Sequence, residues 1–399
     1  MTTKILHISD THLGYRQYQS DIRREDFARA FDAAVEIAID EDVDATIHGG
    51  DLFDHPTPNV PTVNRSIDII SKLSDEDIPF YGIVGNHERK LDEQWMDLIK
   101  RLSNAERLTT SPTTVTDEDG ENPVALYGID SVRSPEWDTF DFTLTRPSDD
   151  SAVTVLCMHE LFKPFVPEHR GNPYELSEVI NRLNFKPDAI ALGDFHRKCQ
   201  NHIDDVLAFY PGSTERCKVT ETRNRGVWVI EVDEGEIGLR FRTINSAGTG
   251  APRDFVVVKV ELTEDDGIDR VEQRVNEELA GDDISEKCVD VTLLGKEAPV
   301  TSRDVYAYLN RRGVAVSHVT DKRDYGIDLD IEFEQRETAD LDTMLDDAVN
   351  ELDIDAAVSE AENLVRNRDV ATSNIRDHVN EVIRSAQEAE FGESTIGSR

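Results

Sequence analysis

Five short runs in the first half of the chain carry carboxylates, imidazoles and one side-chain amide. They are Asp10-Thr11-His12, Gly49-Gly50-Asp51, Gly85-Asn86-His87-Glu88, His159-Glu160 and Asp194-Phe195-His196. Oxygen donors mixed with imidazole nitrogen, with no cysteine among them, suit Mn2+, Mg2+ or Fe2+, with Zn2+ as a further option. Two such ions about 3.5–4 Å apart can clamp the attacking and leaving oxygens of an in-line displacement. A carboxylate shared by both ions offsets their mutual repulsion, and Asp51 is the residue expected to bridge. Water between the ions is then the nucleophile, and no activated serine or cysteine is required. Each run alone is weak. A D-x-H triplet is common, a lone strand-end histidine is more often structural, and G-N-H could be a turn. The signal lies in five of them, each closing an apolar run.

Those apolar runs are the elements that must position the chemistry. Lys4–Ser9, Ala45–His48, Phe80–Val84, Ala152–Met158 and Ala189–Leu192 read as buried strands. Apolar residues at helical spacing predict helices over 24–41 and 62–74, with a further helix near 174–183. Strand–helix–strand–helix–strand is the pattern of a parallel sheet with right-handed crossovers, so the fold class is α/β. Ligands of such sheets sit beyond the carboxyl ends of the strands, where all five runs fall. Between 105 and 150 one strand is expected, at Val124–Tyr127. Further strands are expected at Phe209–Ser213, Val227–Val232 and Leu239–Arg242.

The first domain is expected to close near residue 245, before the small, polar Asn245–Pro252 linker. Residues 253–335 read β-α-β-α-β-β, a small α+β domain whose last strand is Ile327–Phe333. Helices are expected over 337–365 and 371–390, within a C-terminal segment 336–399. Their narrow apolar stripe packs on its own domain or docks a partner helix.

Composition sets the habitat rather than the ligand. The 399 residues include 43 basic and 82 acidic ones, a net charge of −39, and only 12 of the basic residues are lysine. The acids are dispersed along the chain, which suits a folded protein at molar salt, where the Debye length is about 3 Å. Clear strand and helix periodicity argues against a disordered acidic chain. At such salt, counterion release contributes little, so the acidity does not exclude a phosphodiester partner. No apolar run approaches the roughly 18 residues of a membrane span. The N-terminus carries no signal pattern, so a cytoplasmic, nucleoid-associated location is expected. Cys157, Cys199, Cys217 and Cys288 are widely spaced and read as small buried hydrophobes rather than disulfide or zinc partners. His7 and His48, within strands, read as structural. His169, His318 and His378 read as solvated surface groups. Tyr15, Arg16, Arg89, Lys90 and Arg216 flank the runs, where phosphate contact competes with ordinary packing.

The motif set resembles the calcineurin-like metallophosphoesterase superfamily, a sandwich of two sheets flanked by helices. Within it, Asp10–Tyr18, Gly50–Phe53, Gly85–His87 and Tyr210–Arg216 are similar to the nuclease subunit of the archaeal and bacterial double-strand-break repair complex. That is the archaeal meiotic-recombination nuclease type, SbcD in bacteria. The resemblance covers residues 4–216 by motif and the remainder by domain plan alone. It implies a Mn2+-dependent 3′–5′ exonuclease and single-strand endonuclease acting on DNA ends. It further implies a DNA-binding cap over 253–335, a homodimer, and C-terminal helices that dock a coiled-coil ABC-type ATPase. By position, one metal would take Asp10, His12, Asp51 and His196, and the other Asp51, Asn86, His159 and Asp194. His87 would protonate the leaving oxygen.

The chain departs from the family twice. Gly193-Asp194-Phe195-His196 stands where Gly-His-x-His is usual, and Asp194 is kept as a ligand in preference to His202. Asp54 stands where many members have histidine, with His55 next. Two other readings use the same residues: a phosphomonoesterase or cyclic-nucleotide phosphodiesterase, and a DNA-tethering scaffold whose metal site has decayed at Asp194.

Overall fold

The computed structural model describes residues 2–323, apart from 91–92, 169–170, 245–251 and 280–283. The chain divides into two compact units, Met1–Tyr325 and Gly326–Arg399. The second unit lies outside the described residues, as do the expected strand Ile327–Phe333, both expected C-terminal helices, His169 and His378.

The first unit begins β1 (Thr3–Ile8), α1 (Asp21–Asp40), β2 (Ala45–His48), α2 (Val60–Asp75), β3 (Phe80–Gly82), α3 (Trp95–Ile99) and β4 (Ala105–Arg107). It continues through β5 (Thr113–Val115), β6 (Val124–Ile129), β7 (Val153–His159), β8 (Phe162–Lys163), β9 (Tyr174–Glu175), α4 (Leu176–Arg182) and β10 (Ala189–Gly193). Next come β11 (Cys199–Ile203), β12 (Val206–Tyr210), β13 (Gly226–Asp233) and β14 (Glu236–Thr243). The last elements are β15 (Phe255–Leu262), α5 (Ile268–Glu278), β16 (Cys288–Gly295), α6 (Ser302–Arg311) and β17 (Val316–Asp321).

Two six-stranded sheets carry the site, ordered β14-β13-β1-β2-β3-β4 and β11-β12-β10-β7-β6-β5. β1 to β4 are parallel, as the strand–helix alternation predicts, and β13 returns antiparallel beside β1. β6, β7, β10 and β12 are parallel in the second sheet. The short strands β4 and β5 were not expected from the sequence. Three residues each are too few to show a period of two. Ile5, Ile47, Val155, Ala191, Phe209 and Ile230 fill the space between the sheets. A second core joins the first sheet to α1 and α2 through Leu6, Phe31, Val35, Ile70 and Leu73. A third covers the other face of the second sheet with Leu156, Ile190 and α4. Full burial of side chains such as Phe31 contributes about 1.5–3 kcal/mol each.

Both long helices start at a side-chain cap, Ser20 accepting from the Arg23 amide and Asn59 from Thr62. Register then places the chemistry. Ile8 pairs with His48, and Gly193 with His159, so neighbouring strand ends lie level.

β15, β16 and β17 form a separate parallel sheet, with α5 and α6 packed on it through Val271, Val275, Val305 and Leu309. This α+β part meets the sandwich at a buried polar junction. Arg23 is fully buried. It donates to Gln17, to Asp26 at 2.8 Å and to the Arg216 carbonyl, and pairs with Glu215 at 3.2 Å. Arg253, at the entry to β15, holds Asp26 through both carboxylate oxygens, at 2.7 and 2.8 Å. Tyr18 stacks on His318 with ring centroids 4.1 Å apart, and His318 is held by Asp290 at 2.7 Å. His318 is therefore not the solvated group expected from sequence. Both partners, Asp290 and Tyr18, are remote from it along the chain.

Candidate metal centre

The five runs meet at one end of the two sheets. The Asp10 amide donates to the Gly50 carbonyl, the His12 amide to the Asp51 carbonyl and the Leu13 amide to the Leu52 carbonyl. The loops after β1 and β2 thus continue their parallel pairing past the strands. Asp10, His12, Asp51 and Asp194 all have positive φ, between 44° and 85°. Non-glycine residues rarely adopt this region, and such strain concentrates at functional sites. Gly85 permits a close approach. A Cβ there would lie 2.1 Å from Asp51 Oδ1.

Carboxylate and imidazole atoms of Asp10, Asp51 and His159 lie within 4.8 Å of one another, all buried. His12 joins two further groups of the same size, one with Asp54 and His87 and one with His196 and Cys217. Asn86 Oδ1 is 3.0 Å from His159 Nε2. His87 stands at the rim, 41% exposed, its amide donating to Asp51 Oδ1 at 2.9 Å. Asp194 donates its amide to the Asp10 carboxylate at 3.0 Å, and burial, with the Asp51 and Asp10 carboxylates nearby, raises its own pKa against the pull of His159 and His196. All eight residues expected from the sequence are therefore gathered at this end. His202 is exposed on β11 and takes no part in these groups.

Hydrogen bonds fix the tautomers. His159 Nδ1 is 2.6 Å from the Gly49 carbonyl, which can only accept, so this nitrogen carries the proton. Its Nε2 then lies 3.0 Å from Asn86 Oδ1 and 3.3 Å from Asp51 Oδ2. His196 Nδ1 donates likewise to Glu221 Oε1 at 3.1 Å. Its Nε2 faces His12 Nε2 at 3.2 Å, and His12 Nδ1 lies 3.5 Å from Asp54 Oδ1. The two Nε2 atoms thus converge on one point beside the Asp10 and Asp51 carboxylates. Outer carboxylates and carbonyls of this kind are what orient metal-ligating histidines.

The charge balance agrees. Among the described residues no lysine or arginine pairs with Asp10 or Asp51; their only ion-pair partners are imidazoles. Buried carboxylates need such compensation. Burial disfavours charge on His159, but the Asp51, Asp10 and Asp194 carboxylates outweigh it and hold its pKa well above the ordinary value. His196 is raised in the same way, against burial, by Cys217, Glu221 and Asp10. Burial opposes ionisation of Asp51 too, yet His159 and His12 hold its pKa far below the carboxylate range. Oxygen and imidazole donors, inward lone pairs and uncompensated buried acids together fit divalent metal.

The calcineurin-like phosphoesterase profile matches residues 3–198. The chain is 37% identical over 383 residues to the DNA double-strand break repair protein Mre11 of Haloferax volcanii, spanning 96% of this chain and 82% of that one. With Mre11 of Halobacterium salinarum it shares 33% over 387 residues, 94% of this chain and 92% of that one. With that of Methanosarcina acetivorans it shares 36% over 330 residues, 80% and 50%. The chain belongs to the Mre11 family. It is a metal-dependent phosphoesterase, and its net charge of −39 accords with the high-salt habitat read from composition.

Several residues of this Mre11-family centre were given no role by the sequence. Cys217 was expected to be a core hydrophobe. It is buried but joins none of the four hydrophobic clusters, and its thiol lies with His12 and His196. Glu221 orients His196 with one oxygen and accepts the Cys217 amide with the other, at 2.9 Å. Glu88 accepts from the Phe53 and Gly85 amides, tying the loops after β2 and β3 together, and burial pushes its pKa up to about 7. Only the adjacent Tyr210–Arg216 run hinted at the first two. Glu88 closes a run already singled out.

Proposed function

We propose that the chain is a Mn2+-dependent DNA nuclease that processes the ends of double-strand breaks, as a 3′–5′ exonuclease on duplex and an endonuclease on single strands. The observation that carries this is the convergence of Asp10, Asp51 and His159 in a buried group, paired with no lysine or arginine among the described residues, inside a chain of the Mre11 family. Two divalent ions, Mn2+ or otherwise Mg2+, are the proposed cofactors. Asp10, His12, Asp51 and His196 would hold one, and Asp51, Asn86, His159 and Asp194 the other. When bound, such ions supply Lewis acidity to the phosphoryl oxygens and lower the pKa of water.

The chain's own groups do the rest. Asp51, pinned by the His87 amide, is placed to be shared. His87 Nδ1 lies 3.1 Å from the Asp54 carbonyl, an acceptor, so that nitrogen keeps its proton and Nε2 is the one presented outward. A charged His87 can then donate from Nε2 to the departing oxygen, as a general acid should. Burial and the Asp51 and Asp10 carboxylates raise the pKa of Asp194, so its carboxylate is the donor that most needs a cation beside it. The proposed partners are DNA ends, a second copy of this chain, and a coiled-coil ABC-type ATPase docked by the segment 336–399. The cap would bind DNA.

The test is a Mn2+ assay at molar KCl on labelled duplex ends, with and without the ATPase. Wild type should degrade the ends, and Asp51→Ala and His87→Ala should not. Hydrolysis of a phosphomonoester with the DNA left intact would overturn the proposal in favour of a phosphomonoesterase.

A further inference from the structure

The segments wrapped around His196 differ in charge from the rest of the molecule. Residues 195–203 and 216–225 contain six basic residues (Arg197, Lys198, Arg216, Lys218, Arg223 and Arg225) and one acid, Glu221. The whole chain has 43 basic to 82 acidic residues. Elsewhere in the sandwich many basic side chains find carboxylates, as Lys72 does with Asp32 and Glu36, Arg107 with Asp130 and Arg240 with Glu41, while Lys4, Arg182 and Lys186 are held by backbone carbonyls. Arg225 is buried and internal, donating to the His196 carbonyl at 2.7 Å. The other five make no ion pair with any described residue. Lys198 lies over the Phe241 ring and Arg216 over that of Phe255, and neither ring neutralises a charge. Lys198, Lys218 and Arg223 are exposed or half-exposed, and Arg197 and Arg216 half-exposed.

The two segments also lie together. Arg197 and Arg223 both act electrostatically on Cys199. Lys218 follows Cys217, whose thiol sits with His196, and its carbonyl accepts from the Glu221 amide. The edge strand β11 extends the surface with exposed, uncharged residues 200–202. With acids in twofold excess, leaving five cations without a carboxylate in one place reserves them for an anion from outside.

We infer that this strip, bordering His196, holds the backbone phosphates of the nucleic-acid strand next to the one being cut. The inference rests on the proposed function for its choice of partner. A strand with one phosphate at the metal centre must lay its neighbouring phosphates over the adjoining surface, and this strip is an adjoining surface poor in acid. Contacts of this kind position a strand without reading its sequence.

The experiment uses the full chain in EDTA, where no cleavage runs, and a fluorescent blunt duplex titrated by anisotropy over a KCl series. The Lys218→Gln/Arg223→Gln double variant should bind more weakly across all sequences. Its slope of log K against log salt should fall by about two, roughly 0.9 for each phosphate no longer neutralised. Hydrolysis of a small bis-aryl phosphate with Mn2+ should match wild type, showing that the fold and centre are intact. Affinity and slope equal to wild type would overturn the inference, as would a variant that loses only polyglutamate binding, which points to an acidic protein partner. A wild type that binds no duplex overturns it as well. A wild type that binds with the expected slope yet cleaves nothing sinks the nuclease proposal and leaves this one standing.

Discussion

The molecule buries acids in two places and treats them in opposite ways. At the junction with the α+β part, Asp26 is fully enclosed and receives Arg23, Arg29 and both arms of Arg253. Despite burial, the Arg253 and Arg23 guanidinium groups hold its carboxyl below the usual range. At the strand ends Asp10 and Asp51 are equally enclosed, and among the described residues only imidazoles pair with them. One cluster carries its own cations and is finished when the chain folds. The other is left acidic, with inward nitrogen lone pairs, and is finished by metal. Buried charge in itself therefore does not mark a functional site; incomplete compensation does.

Four changes would break or sharpen that contrast. The largest effect is expected from Asp51→Ala, which removes the shared carboxylate. Cleavage should fall by at least about three orders of magnitude, while the metal-free protein melts no lower than wild type in EDTA. Unaltered Mn2+ binding by calorimetry would show that Asp51 is not a ligand. Asp26→Ala should do the reverse. Leaving Arg23 and Arg253 buried without their partner should cost about 3–5 kcal/mol in denaturant unfolding, with Mn2+ affinity unchanged in the folded protein. If both variants lower stability alike, the two clusters are not different in kind.

Next in size is Glu221→Gln, which weakens the acceptor that fixes the His196 tautomer. Metal affinity should drop by about 10- to 100-fold, read by calorimetry rather than by activity. An affinity within about twofold of wild type would remove Glu221 from the centre. The smallest effect separates strand-end imidazoles from those inside strands. His7 lies within β1 among apolar neighbours, and burial lowers its pKa to about 3. The unfolded chain takes up that proton near pH 6.5 and the folded chain does not, so stability is full above 6.5 and declines as pH falls towards 3. His7→Leu should flatten this acid limb, by about 1.4 kcal/mol at one pH unit below the unfolded value. An unchanged limb would mean that His7 is charged in the fold.

His318 shows where reading the chain linearly fails. Its neighbours Ser317 and Val319 belong to an alternating strand, and nothing in that run names a partner for an imidazole on its outer face. Its stacking on Tyr18 depends on a kinked turn near residue 18 that lies on the other side of the junction. Cys217 fails for the opposite reason. A thiol among apolar and polar neighbours is ordinarily core, and nothing local says that the turn after Tyr210 folds back over His196.

The sequence by itself determined the long central strands, their order through the first crossovers, and the eight candidate residues that close them. Apolar runs ending in Asp, Asn or His are local patterns, and strand termini in a parallel sheet share one edge. Tertiary structure alone decided the tautomers, the company of Glu221, Cys217 and Asp54, and which acids were left without a guanidinium. Those properties belong to distances between segments far apart in the chain, such as His12 and His196, 184 residues from each other. Only the packing of one sheet against the other sets such distances.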